Sequence, residues 1–271
     1  MTNDELRNIN KELDKYLPRK GKLARAMRYS VFAGGKRFRP LLCLATAKAL
    51  GCQAAKVLPY ACAIEMVHTF TLIHDDLPAM DDSLLRRGKP SCHIKYGEGV
   101  AILAGDALNT LAFRLIAGQP KAVAELAGAL LTVVEGQVAD LESPGKKMTV
   151  PALRRIHRWK TAALLKACVR GTALICGAPP AKTKSLTAYA GHLGLAFQIA
   201  DDILDVTSSR EALGKPVKAD ISKGFPHLIG LERSKVLALR EKRLAVLALK
   251  NFDNRADQLQ ALADYVIKRG E

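Results

Sequence analysis

The chain has 271 residues, 49% hydrophobic and 5% aromatic, and its 42 basic side chains outnumber 26 acidic ones for a net charge of +16. So much apolar content excludes a disordered chain, and so few aromatic residues disfavour a sheet-rich fold. The positive charge suits partners that are nucleic acids, anionic membranes or phosphorylated substrates, yet the bases are spread along the chain with no long run and no aromatic interleaving.

The N-terminal stretch MTNDELRNINKELDKYLPRK is charged and has no apolar signal segment. Apolar residues at three- and four-residue spacing predict helices over 3–17, 21–33, 38–51, 55–77, 99–117, 121–142, 151–176, 183–207, 229–249 and 255–269. Breakers fall between them, among them Gly34-Gly35, Pro78, Gly88 with Pro90, Pro144-Gly145 and Pro179-Pro180. Segments 121–134 and 183–200 are apolar nearly all round, so they are expected to lie among other helices. No stretch reaches the roughly eighteen uninterrupted apolar residues of a membrane span; Asp106 and Arg114 interrupt 100–117. Cys43, Cys52, Cys62, Cys92, Cys168 and Cys176 form no CxxC pair and read as small core fillers in a reducing cytoplasm. The expected fold is all-α, a single large helical bundle over residues 1–271 around a central cavity.

Two aspartate clusters carry the chemical signal. Gln198, Asp201, Asp202 and Asp205 stand at i, i+3, i+4 and i+7, on one face of a helix whose intervening residues are apolar. Buried carboxylates in such density need cations. Asp75 and Asp81 lie six apart, about 240° around a regular helix, so they converge only if the helix breaks, and Pro78 supplies the break. Hard oxygen donors without Cys suit Mg²⁺, which completes its shell with water and phosphate oxygens. The competing reading makes each cluster a solvated helix end. Basic residues supply the complement. Gly34-Gly35-Lys36-Arg37-Phe38-Arg39-Pro40 is a tight turn with three cations before a helix, a setting suited to phosphate. Arg86-Arg87 follows the first aspartates directly and reads either as a phosphate clamp or as surface charge.

Taken in order, GGKRFRP, EMVHTFTLIHDDLPAMDDSLLRRGKP, ILAGDALNTLAF, GQVADLES, IHRWKTA, GLAFQIADDILDV and LGKPVKAD resemble the trans-type isoprenyl diphosphate synthases, in particular the bacterial farnesyl diphosphate synthases. The resemblance runs from about Leu23 to Arg233. It implies an isoprenoid synthase bundle, a cytoplasmic homodimer with no nucleic-acid partner and no stable membrane insertion. It also implies three Mg²⁺ ions, with Mn²⁺ as the substitute, held by Asp75, Asp81 and Asp201 with Asp76, Asp202 and Asp205 in support. Arg86, Lys160 and Lys215 would grip the allylic diphosphate, and Gly35, Lys36, Arg39, His68 and Arg87 the diphosphate of isopentenyl diphosphate. Thr161, Gln198 and the Lys160 carbonyl would line the allylic cation; the departing diphosphate would remove the final proton. His74 would then be a packing or hydrogen-bonding histidine.

In that family the residues a turn before the first aspartate form the cavity floor; here these are Phe70 and Thr71. A bulky Phe70 and the long spacer Leu77-Pro78-Ala79-Met80 point to a fifteen-carbon product made from dimethylallyl and geranyl diphosphates. Geranyl and geranylgeranyl products are the alternatives, and a silent partner subunit the non-enzyme one. The chain departs from the family pattern at Ala162, where a Gly normally follows Lys-Thr, and at Ser83, where an acidic residue is usual. The loop after Asp220 is shorter, which leaves the role of Lys223 open, and a short N-terminus predicts a reduced covering helix.

Overall fold

A computed structural model describes residues 3–143, 145–211 and 224–268. Lys215, Asp220 and Lys223 lie outside the described residues. The chain order is α1 (Asn3–Tyr16), α2 (Gly21–Val31), α3 (Phe38–Ala49), α4 (Ala54–Asp75), β1 (Leu85–Arg86), β2 (Lys89–Pro90), α5 (Cys92–Tyr96), α6 (Glu98–Leu115), α7 (Pro120–Leu141), α8 (Val150–His157), a π-helical turn (Arg158–Ala162), α9 (Ala163–Ile175), α10 (Pro180–Glu211), α11 (Phe225–Ile229), α12 (Leu231–Ala248), a 3₁₀ turn (Asn254–Ala256) and α13 (Asp257–Lys268). The fold is all-α, as the periodicity predicts.

α4 is the central helix. It packs against α3 and α6, and residues on every side of it are buried, including Tyr60, Ile64 and Met66. α10 packs against α9, α12 and α13, and α7 lies along α9. The main core joins α1–α4, α6, α9 and α13; a smaller one gathers Leu153, Leu195, Ile199, Ile203 and Phe225 beneath α8, α10 and α11. The N-terminal helix is substantial: α1 buries Ile9 and Leu13 completely.

Helix limits follow local chemistry. Pro120 opens α7 where its missing N–H is no loss, and Thr149 caps α8 by accepting from the Ala152 N–H at 3.4 Å. Cys43, Cys62, Cys92 and Cys168 are buried fillers as expected, whereas Cys52 and Cys176 are half-exposed. Two helices, α4 and α7, are long and apolar enough to cross a membrane; the apolar window of α4 is 67% buried and that of α7 28%. Among the outward apolar side chains are Leu131 of α7, 69% exposed, and Leu103 of α6, 58% exposed.

Four features depart from the predicted elements, one of them the short helix α5 in the stretch expected to be a loop between 77 and 99. The segment predicted as one helix over 151–176 is interrupted by the π turn. The residues after the first aspartates form a two-stranded antiparallel hairpin, with Leu85 paired to Pro90 and Arg86 to Lys89. Positive φ at Arg87 (55°) and Gly88 (73°) gives this hairpin the turn that matches strand twist. α11 forms where a loop is expected, because Pro226 at its first turn and Gly230 at its end bound a single helical turn and more.

Candidate active site

α4 stops at Asp75, and the chain folds back on itself. The Asp81 N–H donates to the Asp75 carbonyl at 2.9 Å, Asp82 to the Leu77 carbonyl at 3.1 Å and Ser83 to the Asp76 carbonyl at 3.1 Å. The break at Pro78 therefore does return Asp81 to Asp75. Asp76 turns elsewhere: it is 2% exposed, and Arg86 Nε donates to its two oxygens at 3.0 and 3.2 Å, with Nη2 against it as well. Asp76 and Arg86 thus hold each other and pin the hairpin to the end of α4. Ser83, the non-acidic departure, donates its hydroxyl to the Leu85 carbonyl at 3.0 Å and so braces the entry to the hairpin.

Burial pushes the Asp75 carboxyl up to about 6; the Lys160 charge opposes this and Asp81 reinforces it. Lys160 sits on the π turn, and its Nζ donates to Asp140 Oδ2 at 2.8 Å. Burial works against its ammonium, but the charges of Asp140, Asp75 and Asp81 outweigh that and raise it. Asp140, in the GQVADLES segment, is the site residue that sequence reasoning did not assign. Thr161 donates its hydroxyl to Gln198 Oε1 at 2.6 Å, which ties the π turn to α10. The π turn also comes close to α10 at Ala162: a Cβ on Gly194 would lie 2.5 Å from the Ala162 Cβ. The methyl group that Ala162 adds is thus accommodated by a glycine opposite it.

On α10 the four-residue stripe divides. Asp202, at one edge of the stripe, points into the smaller core. Its Oδ2 lies 3.1 Å from His157 Nε2 and accepts the Phe225 N–H at 2.9 Å. It is 9% exposed, and in this position it anchors α8 and α11 to α10. The supporting ligand role implied for Asp202 is therefore replaced by a structural one. Asp201 is half-buried. The Asp205 carboxyl is pushed up, by burial first and then by the Asp202 charge.

The GGKRFRP turn separates its three cations. Arg37 adopts φ 50°, in the left-handed region, and is 4% exposed. Its guanidinium donates to Glu65 Oε1 at 2.8 Å, Asn10 Oδ1 at 2.9 Å and the Val31 carbonyl at 2.7 Å. It is a core brace: its guanidinium is tied to Glu65, Asn10 and Val31, although the residue also borders the cavity that Lys36 and Arg39 line. Gly35 (φ 109°) has no room for a side chain, since a Cβ would fall 2.6 Å from the Arg87 guanidinium carbon. Arg87 lies over the turn and donates to the Gly34 carbonyl. Arg39 Nη1 lies 3.1 Å from His68 Nε2. Burial, then the charges of Arg39, Arg87, Arg86 and Arg37, hold His68 well below its ordinary range, so it is neutral and accepts from Arg39. His74 hydrogen-bonds the Ile102 carbonyl of α6 at 3.1 Å and meets the Phe70 ring edge-on at 5.3 Å, a positioning role as expected.

Two cavities meet at Arg39 and His68. One, about 410 Å³, has Asp75, Lys160 and Thr161 at its polar end and Phe70, Val133 and Val138 along its apolar wall. The other, about 540 Å³, is lined by Gly35, Lys36, Arg39, His68 and Arg87 and bounded by Phe197 and Tyr265. Lys36 Nζ lies 5.2 Å from the centre of the Tyr265 ring, so the C-terminal helix α13 contributes a wall that no motif announced. Every residue expected to hold the second diphosphate lines this one cavity. Among the described residues no three His, Cys, Asp or Glu side chains converge to cage a metal ion.

An all-helical bundle with a carboxylate–lysine cluster at one end of an apolar cavity and an arginine-rich pocket beside it defines a protein for phosphate-bearing substrates with hydrocarbon parts. The polyprenyl synthetase family profile matches residues 20–266. A farnesyl diphosphate synthase of Geobacillus stearothermophilus is 44% identical across 98% of this chain and 96% of its own length. A geranylgeranyl diphosphate synthase of Cyanophora paradoxa is 45% identical across 90% and 86%. Among solved structures, an FPP/GFPP synthase from Zymomonas mobilis superposes with a TM-score of 0.86 at 34% identity, over 97% of this chain and 96% of that one. A geranyltranstransferase from Thermotoga maritima gives 0.85 at 30%, over 98% and 97%. The chain belongs to the polyprenyl synthetase family and is a transferase enzyme of the trans-prenyltransferase class.

Asp140→Asn removes the charge that holds Lys160. A charge-assisted hydrogen bond contributes about 1.5–3 kcal/mol, so kcat should fall roughly ten- to a hundredfold while circular dichroism stays unchanged. An unaltered kcat would mean that Lys160 needs no such positioning.

Proposed function

We propose that this enzyme condenses isopentenyl diphosphate with dimethylallyl and then geranyl diphosphate, and releases farnesyl diphosphate. The observation that carries this reading is the pair of cavities joined at Arg39 and His68, one with Asp75 and Lys160 at the end of apolar walls, the other rich in cations. A nucleophilic alkene held by its diphosphate in the second cavity would lie beside an allylic diphosphate in the first, which is catalysis by proximity.

The donor set suits Mg²⁺. Asp75 and Asp81 are paired by the backbone fold and carry no sulfur or imidazole neighbour among the groups that set the Asp75 ionisation, which burial raises first and the Asp81 charge reinforces. Mg²⁺ needs only one or two carboxylates beside water and phosphate, so the lack of a three-residue cage is no obstacle. Asp75 and Asp81 would hold it, with Asp201 and Asp205 from α10. Bound there, Mg²⁺ supplies charge stabilisation for a departing diphosphate. The chain's own groups do the rest. Lys160 adds an ammonium at the polar end of the cavity, and Lys36, Arg39 and Arg87 bind the isopentenyl diphosphate. Arg86, in this geometry, reaches an allylic diphosphate only while it remains bonded to Asp76. Thr161 gives its proton to Gln198, which leaves its oxygen lone pairs to face a carbocation. The apolar wall of Val133, Val138 and Leu141 excludes water from that cation.

Phe70 lines the first cavity five residues before Asp75, and its edge-on contact with His74 fixes its ring there. This supports a fifteen-carbon product. The several relatives named as geranylgeranyl synthases at similar identity favour a twenty-carbon alternative. Incubation with isopentenyl and dimethylallyl diphosphates plus Mg²⁺, followed by chromatography of the products, decides between them. Phe70→Ala should shift the main product one or more five-carbon units longer; an unchanged product would remove Phe70 as the floor.

The exposed apolar residues Ile102 and Leu103 of α6 and Leu131 of α7 support a homodimer sealed through these helices; a cytoplasmic enzyme with no nucleic-acid partner and no stable membrane insertion completes the reading. Sedimentation equilibrium of the purified enzyme at rising salt checks it: a dimer held by apolar contact persists, whereas a monomer at all salts would refute it.

A further inference from the structure

On another face of the bundle lies a groove of about 810 Å³ that shares no lining residue with the two cavities of the active site. Its walls come from the π turn, α9, α10 and α12. Arg158, Lys166, Arg170 and Lys184 converge on it, and Glu241 is the sole carboxylate among its lining residues. Glu241 is already engaged, since its Oε2 lies 2.7 Å from His192 Nδ1. Arg170 Nε donates to Glu125 Oε1 at 2.7 Å. Arg158, Lys166 and Lys184 have no ion-pair partner among the described residues.

Lys166 is the half-buried cation of the groove that meets no carboxylate, and Arg158 and Lys184 stand exposed beside it. Lys166 is half-buried against α10, where a Cβ on Gly191 would lie 3.2 Å from its Cε. Its ammonium is lowered, by burial first and then by the charges of Arg158 and Arg170. Cations gathered in a concavity without a matching anion are disfavoured unless a ligand brings the negative charge. Along the same groove run Leu174 and Ala178, with Leu174 39% exposed. This apolar strip has no use for a small inorganic anion.

We propose that this groove is a second ligand site, one that binds the phosphate head of an amphiphile. The phosphate oxygens meet Lys166, Arg158 and Lys184, and the hydrocarbon chain lies along Leu174 and Ala178. Such a ligand could reach the groove as a soluble phosphate ester or as the headgroup of a phospholipid in a bilayer. The chemistry recognised is the same in both.

The test uses the full chain in EDTA, where divalent-dependent binding in the active site is suppressed. Dodecyl phosphate, below its micelle concentration, is titrated calorimetrically into the wild type, Lys166→Ala/Lys184→Ala and Leu174→Asp. The wild type should bind one more equivalent than the lysine variant, or bind it at least roughly tenfold more tightly, the worth of one charge-assisted contact. Leu174→Asp should weaken dodecyl phosphate while inorganic phosphate binding is unchanged. Turnover and melting temperature of the lysine variant should match the wild type, since neither lysine belongs to the catalytic cavities. In a parallel arm, the proteins are sedimented with phosphatidylcholine vesicles with and without phosphatidic acid. Lysine-dependent retention on the acidic vesicles assigns the site to a bilayer headgroup, and lysine-dependent binding of dodecyl phosphate alone assigns it to a soluble ester. Equal affinity and stoichiometry in wild type and lysine variant in both arms overturns the proposal. Neither result depends on which prenyl product the enzyme makes, because both binding arms are read without turnover.

Discussion

Asp75→Ala should lower kcat by roughly 10²- to 10³-fold, the range seen when one preorganised electrostatic stabiliser is removed from an active site. Asp75 stands where α4 stops, its backbone carbonyl receives the Asp81 N–H, and its carboxyl shares a polar pocket with Lys160. Without it, the departing diphosphate would lose one of its two closest cation-holding groups. Steady-state kinetics with saturating Mg²⁺ measures the effect; a loss of under tenfold would show that Asp81 alone is sufficient.

The same carboxyl makes a second expectation about pH. Burial raises it to about 6 from an ordinary value of 3.8, so the folded state takes up its proton more readily than the unfolded one. Its contribution to stability is therefore complete below about pH 4 and is lost as pH rises through 6. Activity moves the other way, because a carboxylate must be ionised to hold a cation. In the wild type kcat/KM should fall as pH drops below about 6, while the melting temperature loses some of its support between pH 4 and 6. In Asp75→Ala that part of the melting profile should flatten. A stability gain at neutral pH together with a loss of turnover is the usual signature of a functional group placed against the fold's own preference.

Arg37→Ala should destabilise the protein by about 3–5 kcal/mol, the range for breaking a buried ion pair from one side. Glu65 is 2% exposed and would be left in the core with its charge unpaired. The loss spreads further, because Arg37 also reaches Asn10 of α1 and the last turn of α2 at Val31. A domain has only about 5–15 kcal/mol in all, so the variant should be close to unfolding at physiological temperature. Urea denaturation of wild type and variant gives the difference. Replacing both partners, as in Arg37→Met/Glu65→Leu, should recover much of it, since no buried charge then remains. If the single variant lost under 1 kcal/mol, the pair would have to be open to water.

Arg37 also shows where sequence reading stops. In GGKRFRP it is indistinguishable from Lys36 and Arg39. What separates them is a left-handed backbone at one residue and a carboxylate 28 positions away, neither of which any local pattern encodes. Asp202 is a similar case. The one-face stripe on α10 is legible because it depends on helical spacing alone, but a residue at its edge answers to its neighbours. His157 and the Phe225 N–H come from segments 45 and 23 residues distant. By contrast, the return of Asp81 to Asp75 was legible, because Pro78 and six residues of chain contain the whole cause. The helix ends at Asp75, Ala49 and Leu141 fall within two residues of expectation for the same reason. The hairpin of Arg86 and the five-residue α11 escaped because two-residue strands and a single helical turn are shorter than any periodicity. Asp140 escaped because an acidic residue near a helix end reads as solvated until Lys160 is seen to meet it.

The π turn at Arg158–Ala162 has a consequence for how this enzyme can change. A π turn holds one more residue than the regular helix around it, and each residue of an α-helix advances the facing direction by about 100°. α8 and α9 are therefore two helices out of phase, joined without a loop. The phase change is what lets Leu153 address the smaller core, Lys160 and Thr161 the catalytic cavity, and Ala163 and Leu164 the main core. A single-residue deletion near Lys160 would produce a smoother helix and a worse protein, since one of those three surfaces would rotate away from its partner. Substitutions in this stretch are open to selection, but its length is not.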